Sequence, residues 1–339
     1  MIESLSRWLF MRPIDELSII GTETPDDVIK SQFRPTVGIA LGGGVARGWA
    51  HIGVMRALDE GGIRPDIVTG TSIGAVVGGC YLAGKLDELE SFARSLTKRR
   101  MFGLLDFALG SSGLINGTKL ATLLEENLGD LRIEQLDRPF TCVATELGTG
   151  HEIWLRSGSL AEALRASYAL PGIFQPSQIG GRWLVDGALV NPIPVSVCRA
   201  LGARVVIAVN LNPDVFGSGT TIVHPMPPAP ADSLPEVDDM LASMAKPGTA
   251  RNILKRQLFG RSKDGLPGIS GVMMEAFNII QDRIGRSRLA GDPPDVTIGP
   301  RLAHLSLFEF DRAEEAITIG YETGLKALDE IRDYISALS

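Results

Sequence analysis

Gly70-Thr71-Ser72-Ile73-Gly74 follows the apolar run Ile67-Val68-Thr69 and precedes a stretch rich in small residues. The pattern is G-x-S-x-G. A serine on a tight strand-to-helix turn is presented as a nucleophile, and Gly70 and Gly74 allow the crowded backbone that such an elbow needs. A helix starting there adds unpaired N–H groups and a positive dipole end beside Ser72. In a chain with 39 glycines the pentapeptide alone also reads as punctuation between two buried elements. A second junction of the same kind precedes it, Leu41-Gly42-Gly43-Gly44-Val45-Ala46-Arg47-Gly48. Successive glycine N–H groups can form an anion-binding nest. Arg47 stands where a dinucleotide fingerprint requires glycine, and Trp49 where a P-loop requires lysine, so an oxyanion hole for acyl transfer is what remains. Arg47 adds charge to that loop, anchors a phosphate head group, or forms a structural ion pair. The third element is Asp186-Gly187-Ala188, after the strand-like Arg182–Val185. A carboxylate there could take the Ser72 proton directly; alone it reads as a turn aspartate.

Together and in this order, GGGVARG, GTSIG and DGA resemble the patatin-like phospholipases, and most of all their bacterial serine hydrolase group. Ala166-Ser167-Tyr168-Ala169-Leu170-Pro171 is similar to that family's A-S-x-x-x-P segment, and Trp49-Ala50-His51-Ile52-Gly53-Val54 to its glycine-loop helix. The resemblance covers about residues 36–212 and the terminal strand and helix. It implies hydrolysis of phospholipid or other lipid esters with a Ser–Asp dyad and no cofactor or metal. By the same resemblance Ser72 is the nucleophile and Asp186 the base. Gly42, Gly43 and Gly44 with Arg47 and Gly48 then form the oxyanion loop.

The histidines set the rival mechanism. A Ser-Asp-His triad in hydrolase chain order is satisfied by Ser72, Asp186 and His304. His51 lies before the nucleophile and reads as a structural hydrogen-bonding residue. His224 falls in a proline-rich stretch, and His151 has no assigned role. A nonenzymatic scaffold of the same fold is the further alternative. Neither EF-hand spacing nor HExxH occurs, so no metal is expected.

These residues need a frame. Thr36–Leu41, Ile67–Thr69, Phe140–Thr145, Arg204–Asn210 and Asp295–Ile298 read as buried strands. Trp49–Glu60, the stretch from the elbow to Gly84, Ser159–Ala169 and a last helix from Asp311 to about Leu338 read as helices, Asp311 as the N-cap or a first-turn acid of the last. The alternation predicts a three-layer α/β/α fold with a largely parallel central sheet and a helical insertion before the last strand and helix. The expected organisation is an N-terminal extension (1–35), a catalytic core (36–212), a linker and helical cap (213–290), and a strand and helix completing the core (291–339).

With 339 residues, 44% hydrophobic, 22% charged and net charge −7, the chain reads as an ordinary globular protein that does not bind nucleic acid. Three scattered cysteines fit a reducing compartment, so a cytoplasmic setting is expected, with peripheral contact at the inner membrane surface as its extension. The oligomeric state is left open. The segment around Trp8-Leu9-Phe10-Met11 is too short and charged for a signal peptide or a membrane span, and reads as an amphipathic helix on the body or on a membrane. After the Pro-rich 217–238, Met240–Arg288 carries helical periodicity. Its run Met273-Met274-Ala276-Phe277-Ile279-Ile280-Ile284 either covers an acyl groove, with Arg283, Arg286 and Arg288 toward anionic head groups, or packs on the core.

Overall fold

The computed structural model describes residues 34–96, 118–212 and 269–339. The segment around Trp8–Met11, the Pro-rich 217–238 with His224, and the run from Met240 to residue 268 lie outside them.

Among the described residues, eight strands form one sheet: β1 (Val37–Leu41), β2 (Ile67–Thr71), β3 (Phe140–Glu146), β4 (Glu152–Leu155), β5 (Ser177–Ile179), β6 (Arg182–Asp186), β7 (Val205–Val209) and β8 (Val296–Ile298). Their order is β5-β6-β3-β2-β1-β7-β8, with β4 paired to β3. The run from β3 to β8 is parallel, while β4, β5 and β6 add antiparallel pairs on one side. β1 is central, with Ile39 opposite Val68 on one side and Ile207 on the other. Burial on both faces explains why β1, β2 and β7 are unbroken apolar or small-residue runs without polar alternation.

Ile39 and Leu41 of β1 face the main core with Val205, Ile207 and Val209, and Ala40 faces a second core with Val206 and Ala208. The main core is covered by α1 (Ala50–Glu60), α2 (Ile73–Leu82), α3 (Leu86–Ser95), α5 (Leu160–Ser167) and α8 (Ala313–Ala337). The second is covered by α6 (Val195–Ala200) and by Leu289 near the end of α7 (Ile269–Gly291). A further helix among the described residues, α4, is Thr118–Leu128. This is the expected three-layer arrangement, with α7 before the last strand.

Local signals account for the ends. Ser159 caps α5 by accepting from the Glu162 N–H at 3.3 Å. Gly62, at φ 74°, turns the chain out of α1. Asp311 is not the cap of α8: it sits in a 3-10 turn, Phe310–Arg312, and α8 starts at Ala313. Arg312 fixes that start by binding Glu309 and Glu315. α1 and α8 meet backbone to backbone. A Cβ on Gly53 would strike the Ile317 carbonyl, and one on Gly320 the Ala50 carbonyl.

Candidate active site

The glycine loop leaves β1 and Ser72 leaves β2, so both lie at the carboxyl ends of parallel strands. The chain steps from β1 to β2 on one side and returns to β7 on the other. Such a switch point opens a crevice between the loops.

Ser72 has φ 57° and ψ −126°, a conformation L-residues rarely adopt. The surroundings impose it. A Cβ on Gly74 would enter the Leu41 carbonyl, and one on Gly70 would sit 2.5 Å from Ala75 N. The Ser72 N–H is held by Ser167 Oγ at 2.9 Å, and that hydroxyl donates to the Val143 carbonyl at 2.7 Å. In the sequence Ser167 stands out only as part of a resembling segment; its task, locking the elbow from 95 positions away, is visible only in three dimensions.

Ser72 Oγ donates to Asp186 Oδ2 at 2.6 Å. Asp186 Oδ1 accepts the Ala188 N–H at 2.9 Å, and its backbone is held by Ala169 O and Thr145 Oγ1. Gly187 is demanded by packing, because a Cβ would strike the Val143 carbonyl. Asp186 is 1% exposed, and burial pushes its carboxyl up to about 7, against the downward pull of its bonds from Ser72 and Ala188.

No imidazole lies between these two side chains. His304 is half exposed and pairs with Glu315 at 2.9 Å. His51 is buried, and its Nε2–H donates to the Gly42 carbonyl at 2.7 Å. Burial pulls it down to about 4, so it is neutral and fastens the glycine loop. His151, largely exposed, lies 3.5 Å from Glu146.

The N–H groups of the glycine loop differ in their partners. Those of Gly42 and Gly43 donate to Val209 O at 3.1 Å and Pro192 O at 3.0 Å, and so shape the loop. No acceptor among the described residues takes the N–H of Gly44, of Val45, or of Ile73 at the start of α2. Val45, a β-branched residue at φ 52°, is held in the left-handed region. A Cβ on Gly43 would lie 3.4 Å from Ala188 Cβ and 3.6 Å from Ser72 Cβ, so the loop, Ser72 and the aspartate turn share one small space. Arg47 is buried, and it donates to neutral oxygens: Nε to Leu305 O at 2.9 Å and Nη1 to Asn212 Oδ1 at 3.0 Å. It braces the loop to chain 165 and 258 residues away. Burial draws its guanidinium down to about 10, offset in part by Glu275. Gly48 lets the loop's turn approach α2, since a Cβ would strike Ile73.

Over this space lies α7. Phe277 packs with Leu170, Ala188 and Leu307 in an apolar cluster that also touches Val45. Gln281, one turn on, is buried, its Oε1 3.8 Å from where a Gly43 Cβ would be. Arg288 binds Glu152 Oε2 at 2.9 Å, and Glu152 Oε1 accepts from Asn191, just after the aspartate turn. Sequence reading assigned nothing to Gln281. The available signal was a polar residue in the inward stripe Phe277, Gln281, Gly285 at four-residue spacing.

A patatin-like phospholipase family model matches residues 39–199, which contain the glycine loop, Ser72 and Asp186. An uncharacterized NTE family protein of Mycobacterium bovis is 34% identical, over 91% of this chain and 96% of its own length. The chain belongs to the patatin-like phospholipase family. Within it, a protein of Pyricularia oryzae named a lysophospholipase is 29% identical over 91% of this chain, which spans 20% of that longer protein. A patatin-like phospholipase domain-containing protein of Caenorhabditis elegans is 38% identical over 52% of this chain and 14% of its own. Among solved structures, VipD from Legionella pneumophila gives a TM-score of 0.41 at 14% identity, covering 88% of this chain and 67% of that one. As a member of this family the chain is a lipid acyl hydrolase. No helix among the described residues is long and apolar enough to cross a membrane. None of their His, Cys, Asp or Glu side chains form a cluster of three that could hold a metal.

Proposed function

We propose that the protein hydrolyses phospholipid or lysophospholipid esters through a two-residue site, with Ser72 as nucleophile and Asp186 as base. The observation that carries this reading is the direct 2.6 Å bond from Ser72 Oγ to a buried carboxylate. Ser72 Oγ attacks the ester carbonyl carbon and its proton passes to Asp186. The carbonyl oxygen becomes an oxyanion, received by the N–H groups of Gly44 and Val45, with Ile73 at the helix end as a third donor. Collapse breaks the bond to the alcohol, which leaves with the proton from Asp186. Water, deprotonated by Asp186, then attacks the acyl–serine; the bond to Ser72 Oγ breaks, Oγ takes the proton from Asp186, and the fatty acid is released. A base near 7 suits both proton transfers at neutral pH. The apolar cluster around Phe277, Leu170 and Leu307 receives the acyl chain.

The test is covalent labelling with a fluorophosphonate and mapping of the adduct, alongside hydrolysis of a soluble short-chain ester and of a lysophospholipid. An adduct on Ser72, with activity on both substrates lost in Ser72→Ala, is the expected result. An adduct elsewhere, or turnover by Ser72→Ala, overturns it.

A further inference from the structure

α7 presents two opposite faces. Phe277, Gln281 and Gly285 point into the protein. On the outer arc, Val272, Met273, Ile279 and Ile280 are 52, 52, 45 and 42% exposed, and Ala276 is exposed between them. At 100° per residue these side chains fall on one stripe running the first three turns. The same arc continues into the exposed Arg283 and Arg286. Arg286 forms an ion pair with Asp282 at 2.8 Å. An ordinary surface helix is polar outward; here the outward half is apolar first and basic after.

We propose that this face of α7 is the surface by which the enzyme docks on a lipid membrane. Two observations favour lipid. The helix's other face lies on the aspartate turn and the glycine loop, so docking sets the site against the phase that holds the substrate. Apolar residues followed by arginines match acyl chains and anionic phosphates. A second copy fits less well. Antiparallel two-fold pairing of this stripe sets Arg283 and Arg286 against the partner's apolar residues, and parallel pairing sets arginine against arginine. The proposal rests on the lipid hydrolase reading above.

The experiment uses the full chain, the double variant Ile279→Glu/Ile280→Glu, and the double variant Arg283→Gln/Arg286→Gln. Each is measured for co-sedimentation with zwitterionic vesicles, with and without an anionic phospholipid, and for hydrolysis of a vesicle-borne ester and of a soluble short-chain ester. Both isoleucines are exposed, so the fold is expected to persist, which thermal unfolding checks. The glutamate variant is expected to lose vesicle binding and vesicle hydrolysis by at least about tenfold while keeping soluble-ester turnover within about twofold. The glutamine variant is expected to lose the gain from anionic lipid. Unchanged vesicle binding in both variants overturns the docking surface. So does a wild-type dimer in sedimentation that the glutamates dissolve, which makes the stripe a protein interface. Failure of the wild type to hydrolyse the soluble ester counts against the Ser72–Asp186 reading, and leaves vesicle binding to decide the docking surface independently.

Discussion

Replacing Asp186 by Asn removes the buried carboxylate at the site, and its effect on stability follows from the carboxyl's position. Burial raises it from 3.8 to about 7. Below about pH 4 the group is protonated in the folded and unfolded chain alike, and folding bears no charge penalty. As pH rises toward 7 the unfolded chain releases its proton while the folded chain keeps it, so stability falls. Above about pH 7 the loss is complete, at about 1.4 kcal/mol per pH unit, or about 4 kcal/mol in all. Against a total stability of about 5–15 kcal/mol this is large. The amide in the Asp186→Asn variant would keep the contacts, accepting from Ala188 N–H and donating to Ser72 Oγ, without the charge. Denaturant midpoints of both proteins between about pH 4 and pH 8 give the test. The variant is expected to gain on the wild type by about 4 kcal/mol across that range while losing esterase activity. A stability difference that does not change with pH refutes burial, as against hydrogen bonding, as what sets the state of this carboxylate.

In the wild type, kcat/KM for a soluble ester should fall about tenfold per pH unit below about pH 7, a profile read directly from initial rates. His304→Ala should leave that activity within about twofold and stability within about 1 kcal/mol, since it removes one exposed pair; a loss as deep as that of Asp186→Asn installs a triad. Gly187→Ala drives a Cβ into the Val143 carbonyl and should cost more than about 3 kcal/mol, seen as insoluble or unfolded protein. Arg47→Met should cut turnover by more than about tenfold with the acyl–serine step slowed, because the glycine loop loses its ties to Leu305 and Asn212.

The strands that build the floor of the site were legible because burial on both faces leaves unbroken apolar runs, as in Val37–Leu41 and Val205–Val209. The elbow and the aspartate turn were legible because crowding at Gly70, Gly74 and Gly187 admits only glycine, and glycine is visible in a sequence. The edges were less so. Glu152–Leu155 and Ser177–Ile179 are short and partly exposed, and carry little pattern. Which glycine N–H groups remain open could not be read from GGGVARG, since it depends on Val209 and Pro192 arriving as acceptors. The same holds for Arg47, whose partners lie far along the chain, and for Gln281, brought to Gly43 by a helix that begins after residue 268.

The brace on Arg47 also orders events in time. Its acceptor Leu305 O, the Leu307 carbonyl that holds Ala46 N–H, and the Ile317 segment against Gly53 all lie beyond β8. On a ribosome, β1, the glycine loop and Ser72 emerge before them, and the loop has nothing to lean on until they follow. Nascent chains stopped before Leu305 therefore carry Ser72 without a fixed glycine loop. The site is braced only once the segment after β8 has been made.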